Sequence, residues 1–352
     1  MRRAILIVIA ACFYYSGLVA LARWWTSRSG PCLVLLNYHR AIGGDLRRQL
    51  LYLRRYYRLM HLEAALEELY PPHNDKQAVL DRRIPLVLTF DDGYCDNYTH
   101  AFALAKELQV PLAIYLIPGY LEKGGYFWWF ERDHLVRCAK VHKVACDGRT
   151  YHLDSPTEQQ ALSAYIDTQA RYASSVAARE AFLASMREKL QVSATVMQED
   201  LPAMSLTWEQ VHEMEQSGWV SFGAHTMNHP VLSAITDPAE LEYEVTECHR
   251  VLEQRLGHPV RSLAYPIGQR QHISEDVANA VCRAGYSWAV TTSYGFNRPQ
   301  TNPYLLNRIE VDVDQHWLVV AAEAAGLWGF FSRLRWVPFL RKHLTNAGDK
   351  GK

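Results

Sequence analysis

The sequence predicts a parallel α/β fold, and three observations predict it. Short apolar runs rich in Val, Ile and Leu recur through the chain and end in polar or small residues. Helical patterns with capping residues separate most of them. Acidic and imidazole side chains gather where the apolar runs end, which is where parallel α/β folds place their chemistry. A closed barrel and an open doubly wound sheet both satisfy this pattern.

In order, the predicted strands are "CLVLLNYH" around Leu33, "IPLVLTFDD" around Leu86, "VPLAIYLIP" around Ala113 and "WVSFGAH" around Val220. "RSLAYP" around Leu263, "SWAVTT" around Val290 and "LLNRIEV" around Ile309 follow. Apolar runs of this length suit strands covered on both faces. Among the intervening helices, "DLRRQLLYLRRYY" has apolar residues at helical spacing, and a second pattern runs from Asn97 towards Gln109 and stops before Pro111. Thr207 and Gln210 form a predicted capping box for "TWEQVHEMEQSG", which Gly218 ends. Asp237, Pro238 and Gly257 serve as cap, first-turn proline and stop for the next helix, and Ser274 and Gly285 bracket another. From about Tyr120 to Pro202 no strand is expected, and the stretch reads as a helical insertion on one strand-to-helix loop. No G-x-G-x-x-G follows the first strand, which argues against a dinucleotide site.

The chain has 352 residues, 49% of them hydrophobic, enough for one large α/β domain. Basic and acidic residues balance at 37 each, so no global field draws in nucleic acid, and none is expected as a partner. The seven cysteines are odd in number and include no C-x-x-C pair, so neither a disulfide scaffold nor a structural zinc cluster is expected. The stretch from Ala4 to Ala22 carries no charge, is preceded by Arg2 and Arg3 and is followed by Trp24 and Trp25. It is expected to be an uncleaved membrane anchor over residues 1–30, either spanning or lying in the interface. A signal peptide cleaved after Ala20-Leu21-Ala22 is the alternative. The aromatic and basic tail, 321–352, either rests on a membrane surface or packs on the domain.

Reading the strand ends in order gives Asn37-Tyr38-His39, Asp91-Asp92-Gly93, Gly223-Ala224-His225 with His229 beyond, and Tyr265-Pro266-Ile267-Gly268. His225 and His229 are four apart, which on a helical turn places both rings on one face. Two imidazoles and one carboxylate make a three-ligand zinc set with a position open to water. Such a metal lowers the pKa of bound water and polarises a carbonyl. The other aspartate is then free to accept the water's proton. Taken singly, D-D-G is ordinarily a turn and H-x-x-x-H an ordinary pair of histidines; their meeting on successive strand ends is the signal.

These residues carry a resemblance. "TFDDG", "HTMNH" after "FGA", and "YPIG" resemble three signature motifs of the polysaccharide deacetylase family, the NodB-homology or carbohydrate esterase family 4 domain, across roughly Leu33 to Val313. "LNYHR", "FWW", "GYSWAVTT" and "NRPQTNPYLLNRI" are similar to a membrane-associated subgroup found with exopolysaccharide systems. The resemblance implies a distorted (β/α) barrel of about seven strands over residues 31–320, carrying the insertion. It implies removal of N-acetyl groups from an amino-sugar glycan or its lipid-linked precursor. Carried over, Asp91 is the general base, and Asp92, His225 and His229 bind Zn²⁺, or another divalent ion such as Co²⁺ or Ni²⁺. The backbone N–H of Ile267 holds the oxyanion beside Tyr265, Pro266 and Gly268. Partners implied are the glycan, the membrane and components of an exopolysaccharide export system, with the catalytic domain in the cell envelope at an inner membrane.

Three departures from the family pattern stand out. The Arg that orients the base is replaced by Ala264, leaving Arg261, Arg270 and Arg308 as substitutes, with Arg308 also a candidate for substrate contact. Ile267 stands where a Tyr is usual. The late His that serves as general acid is missing, which leaves His39 and His316. Trp128 and Trp129, with Phe130, either stack on sugar or seal the insertion onto the barrel. An O-acetyl esterase with the same site and a non-catalytic glycan-binding component are the alternatives. Paired-carboxylate glycoside hydrolysis is disfavoured, because Asp91 and Asp92 are adjacent whereas such pairs must flank the scissile bond.

Overall fold

In the computed structural model, which describes residues 2–71, 81–124, 127–193 and 204–327, the predicted strands form one curled parallel sheet. They are β1 (Val34–Tyr38), β2 (Arg58–Leu59), β3 (Pro85–Phe90), β4 (Leu112–Leu116), β7 (Val220–Ala224), β8 (Ser262–Ala264), β9 (Trp288–Val290) and β10 (Ile309–Glu310). The order across the sheet is β10-β1-β3-β4-β7-β8-β9, with β2 a short addition on β3. The stretch just before β10 reaches both edges. Leu306 bridges Val290 of β9 in parallel, and Ile309 and Glu310 pair with Leu36 and Asn37 of β1. A distorted barrel results.

Side-chain alternation along these strands decides what faces inward. Leu35, Val87, Ala113, Tyr115, Ala264, Val290 and Leu306 share one apolar cluster, closed below by Leu62, Leu66 and Leu69 of helix α4 (Leu62–Leu69). Residues two places further along each strand lie one layer higher on the same face. These are Asn37, Thr89 and Arg308, all fully buried. The opposite alternation, Leu36, Leu88, Ile114 and Phe222, packs against the outer helices.

The remaining helices are α1 (Arg2–Tyr15), α2 (Leu18–Arg28), α3 (Leu46–Tyr56), α5 (Ala103–Leu108), α6 (Pro118–Lys123), α7 (Trp128–Arg137), α8 (Pro156–Arg171), α9 (Val176–Leu190), α10 (Trp208–Gln216), α11 (Pro238–Leu256), α12 (Glu275–Arg283) and α13 (Trp317–Ala324). Local chemistry sets several ends. Thr207 and Gln210 make the reciprocal capping box of α10. Asp237 accepts from the Ala239 N–H at the start of α11, and Gly257 ends it in the left-handed conformation. Ser274 accepts from the Val277 N–H at the start of α12. The helix expected from Asn97 opens instead as a wide π-helical turn, Asn97–Phe102, before α5.

Three expectations need correction. The insertion is not purely helical: β5 (Lys143–Cys146) and β6 (Arg149–His152) form an antiparallel hairpin beneath α7, α8 and α9. The alternation at Lys143–Cys146, exposed and buried in turn, marks a two-stranded ribbon with one wet face. The N-terminal segment is two helices bent by 65°, not one; no single helix among the described residues is long and apolar enough to cross a membrane, though the bent pair together meets that length and composition. The boundary drawn at residue 320 falls inside α13, whose Val320, Ala321 and Ala324 belong to the main core. The tail from residue 328 lies outside the described residues. All seven cysteines are unpaired.

Candidate functional site

The polar residues gather at the C-terminal ends of β1, β3 and β7. Asp91 follows β3, and its N–H donates to the Tyr38 carbonyl of β1. Alternation continues the inward face from Thr89 to Asp91, where Arg308 meets it. The guanidinium donates two bonds of 2.7 Å each, one to each carboxylate oxygen of Asp91. It also donates to Asn37 Oδ1, Thr89 Oγ1 and the Thr291 carbonyl. Burial by itself pushes the Asp91 carboxyl up, but Arg308 overrides this and holds it well below the usual carboxylate range.

Asp92 takes a different path. Its φ of 73° turns the chain out of the strand, and its side chain away from Arg308, towards the loop after β7. There His225 Nε2 and His229 Nε2 stand 3.4 and 3.5 Å from Asp92 Oδ1. The three ligand atoms lie within 4.8 Å of one another, and all three residues are buried. The expected helical turn does not exist. Residues 225–229 form an irregular loop, with Thr226 and His229 at positive φ of 64° and 55°, closed by the His229 N–H donating to Thr226 Oγ1. Four-residue spacing succeeded here through a loop rather than a helix.

Several observations fit this trio to a cation. Asp92 Oδ1 is buried without a hydrogen-bond partner among the described residues, an unfavourable state unless something else binds it. His225 Nδ1 lies 2.7 Å from the Ala264 carbonyl. That contact places the proton on Nδ1 and leaves the Nε2 lone pair aimed at Asp92. Burial, then the neighbouring His225, push the His229 imidazole down to about 3, so it is neutral and ligand-competent. Tetrahedral zinc ligands at about 2.0–2.1 Å from the metal stand about 3.3 Å apart, close to the two spacings seen.

The surrounding shell supports this loop. Gly119 N–H donates to the Met227 carbonyl at 2.9 Å, and a Cβ at Gly119 would lie 2.4 Å from that oxygen; only glycine allows the approach. Glu244, on α11, accepts from the Asn228 N–H and side-chain amide. Trp128 Nε1 donates to the His229 carbonyl at 3.2 Å, and the Trp129 ring lies 4.4 Å from the His229 ring. Trp129 Nε1 in turn donates to the Tyr94 hydroxyl.

These contacts revise several assignments. Trp128 is buried and holds the His229 loop, so it is no sugar platform; Trp129 is half-buried against Phe127 and His229. Arg308 touches Asp91 rather than open space, so it orients the carboxylate and does not bind substrate. Arg261 lies at the opposite end of β8 and pairs with Glu63 and Glu67. Tyr265 falls on the outward alternation, and its hydroxyl donates to the Tyr304 carbonyl away from the site. Pro266 and Gly268 shape the turn with backbone bonds, Gly268 N–H to the Pro266 carbonyl and Thr292 N–H to the Gly268 carbonyl. Between them Ile267, at φ 61°, leaves its N–H without a bond to any described residue. His316 caps α13 by accepting from the Leu318 N–H. His39 instead lies close enough for its charge to act on both aspartates, and it borders a cavity of about 370 Å³ with Arg40 and Glu310.

The Asp96 cluster had no sequence signal of its own. Asp96 pairs with Arg40 at 2.6 Å and accepts from the Ala41 N–H, while Asn97 donates to the His39 carbonyl. Together they fix the loop that carries His39. A tyrosine face under Arg40, that of Tyr94, completes it.

A family model described as polysaccharide deacetylase matches residues 81–289. Among solved structures, IcaB from Ammonifex degensii superposes with a TM-score of 0.53 at 21% identity, covering 84% of this chain and 98% of its own. The Streptococcus pyogenes deacetylase PplD, solved with acetate, gives 0.51 at 19% identity over 80% of this chain and 93% of its own. YxkH of Bacillus subtilis (strain 168) is 29% identical over 106 residues, which is 30% of this chain and 36% of that protein. The match therefore spans little more than a third of that curated relative.

Proposed function

This chain belongs to the polysaccharide deacetylase family, the NodB-homology type, and from that premise we propose that it removes N-acetyl groups from an amino-sugar polysaccharide or its lipid-linked precursor, with a divalent cation held by Asp92, His225 and His229. The observation that carries the reading is the convergence of those three buried ligand atoms beside a second carboxylate, Asp91, that has its own arginine. Two nitrogens and one oxygen suit Zn²⁺, with Co²⁺ or Ni²⁺ as substitutes. When bound, the cation supplies charge that polarises the acetyl carbonyl and makes a water more acidic.

The chain's own residues do the rest. Asp91 receives the proton of the attacking water as the new C–O bond forms. Its bidentate arginine keeps it ionised and points its remaining lone pairs into the site. The unbonded Ile267 N–H faces the oxyanion of the tetrahedral adduct. His39 donates a proton to the leaving nitrogen as the C–N bond breaks, giving a free amine and acetate. Exopolysaccharides are the proposed substrate class, and export components of such a system the proposed partners.

Acetate release from N-acetylated oligosaccharides, with and without chelator, tests the reading. Loss on chelation and recovery with Zn²⁺ or Co²⁺ support it. Release from acetyl esters alone would make the protein an esterase. Glycan binding without any acetate released would make it a binding component.

A further inference from the structure

Whole-chain neutrality conceals an asymmetry. Between residues 2 and 58 the sequence carries ten arginines against a single acidic residue, Asp45; Arg40, Arg47 and Arg58 pair with Asp96, Glu107 and Glu68 from elsewhere in the chain. The same stretch holds α1 and α2, whose two faces are both apolar. Residues 7, 10, 11 and 14 of α1 turn inward, and Ala10 is sealed against Leu318, Val319 and Ala322 of α13. Tyr14 meets the rings of Tyr52 and Trp317. In α2, Val19 is fully buried, and Arg23 donates to the Tyr52 hydroxyl and lies over the Tyr56 ring. Spacing of three and four therefore glues both helices to α13 and α3.

The outward stripes repeat that spacing with large apolar residues. Ile5, Val8 and Ile9 lie exposed on α1, and Leu18, Leu21 and Trp25 on α2, with Val8 63% and Trp25 68% exposed. A helix that is apolar all round belongs in a core or in lipid. A contiguous apolar strip of this size on a free surface marks an interaction site. Beside it lies a groove of about 380 Å³ whose lining includes Arg23, Trp24, Arg55 and Arg82, with Arg83 there paired to Asp81. Arg28, Arg54, Arg55 and Arg82 are exposed on or beside these elements.

We propose that α1 and α2 form an in-plane docking face for an anionic lipid bilayer: the outward apolar stripes enter the headgroup–acyl boundary while the flanking arginines hold lipid phosphates. A crossing by the bent pair is the rival geometry, since the two helices together are long and apolar enough for a broken span. At 1.5 Å per residue, α1 and α2 are about 21 and 17 Å long, each short of the roughly 30 Å hydrocarbon layer, so a crossing would need both helices, bent by 65°, to leave the barrel together. Their inner faces are also committed to the barrel. Interfacial tryptophans and basic residues are what such a face needs.

The same contacts set the barrel's attitude. The Arg3 guanidinium bonds the Asp314 carbonyl in the loop that follows β10, at the end where Asp91 and Asp92 lie. The Arg298 guanidinium bonds the Ser29 carbonyl just past α2, and Leu33 at the foot of β1 pairs with Asn297. The helix pair thus runs down the flank of the barrel from the level of the site to its base. A bilayer on this face lies alongside the barrel, with the catalytic mouth at its surface.

The full chain, exchanged from detergent, is mixed with vesicles of phosphatidylcholine alone and of phosphatidylcholine with phosphatidylglycerol, and vesicle flotation is measured. Co-flotation with the anionic vesicles, weakened by salt, is expected. Replacing Arg54 and Arg55 by Gln weakens it by about fivefold per arginine. Leu21→Ser with Trp25→Ser abolishes it. Circular dichroism and acetate release from a soluble oligosaccharide, both unchanged, show that these variants fold. In sealed vesicles, a tag ahead of Met1 is digested whenever the barrel is digested. A tag protected while the barrel is cut would establish a spanning helix and overturn the proposal. Flotation that ignores lipid charge and both sets of substitutions would do the same, as would binding that requires membrane proteins.

Discussion

Replacing Arg308 by Met tests the coupling between the two halves of the site. Arg308 is fully buried, and its two 2.7 Å bonds are the counterweight to the buried Asp91 charge. Removing one partner of such a pair costs about 3–5 kcal/mol, because the other charge is left without compensation. The sign follows from the shift. In the native protein the Asp91 pKa is depressed, so the pair's contribution is present above the ordinary carboxylate pKa and is lost as pH falls through the depressed value. In Arg308→Met, burial is opposed only by the charges of His225 and His39, and the pKa rises from its depressed value. The penalty then grows as pH rises and shrinks in acid, where Asp91 is neutral. At about 1.4 kcal/mol per pKa unit, 3–5 kcal/mol corresponds to about two to four units. An acid limb, absent from the native profile over the working range, should therefore appear in the pH dependence of kcat/KM at or above about pH 4. Urea unfolding near pH 7 and again in acid, together with pH–rate profiles of acetate release, measures both consequences. Asp91→Asn in the Arg308→Met background should cost far less stability than the two changes summed. Equal stability losses at both pH values, with an unshifted rate profile, would refute the assignment of Arg308 as the partner that keeps Asp91 charged.

Asp91→Asn alone should retain Zn²⁺ by equilibrium dialysis yet lose about 10²–10⁴-fold in turnover, the usual worth of a positioned base. His229→Ala should lose both Zn²⁺ binding and the rise in Tm that Zn²⁺ gives the native protein, since a ligand bound only to the folded state stabilises it by mass action. Glu323, buried on α13, has its pKa raised to about 7 by desolvation. Because that value lies above the unfolded one, native stability should fall as pH rises from about 4.5 to about 7. Glu323→Gln should flatten this fall, by at most about 3 kcal/mol in urea unfolding at alkaline pH.

Much of this arrangement was legible because strands repeat every two residues. Asp91 and His225 are reached by continuing apolar runs to their ends, and the capping box at Thr207 announced α10 outright. Arg308 could have been chosen over Arg261 on the same ground. It falls one step beyond Leu306 on the inward alternation, whereas Arg261 precedes its strand and so belongs to the far end of the barrel. The same rule would have turned Tyr265 outward, since Ala264 faces in. Other features had no local signal. The Asp96–Arg40 pair and the Glu244–Asn228 bonds join residues 56 and 16 positions apart through loops, and nothing in either segment marks them. The charge excess of the N-terminal sixth was visible but was averaged away in the whole-chain balance.

Two adjacent carboxylates can share this strand end because the backbone separates them at once. Asp91 keeps the extended alternation and faces inward to Arg308. Asp92 adopts φ 73°, which no strand residue takes, and swings across to the two imidazoles. Each charge then has its own counter-group: an arginine that the fold supplies and, for Asp92, the cation proposed above. The cost appears as backbone strain. Asp92, Thr226, His229 and Ile267 all sit at positive φ, and for the β-branched Thr226 and Ile267 this is a genuine departure from preference. Such positions cost about 1–3 kcal/mol each and persist only where surroundings over-determine them. Here all four lie on loops that follow strands whose pairing is otherwise regular. The barrel therefore spends its packing energy on holding these unfavourable turns in register, and those at Asp92, Thr226 and His229 bring two nitrogens and one carboxylate oxygen to the same space.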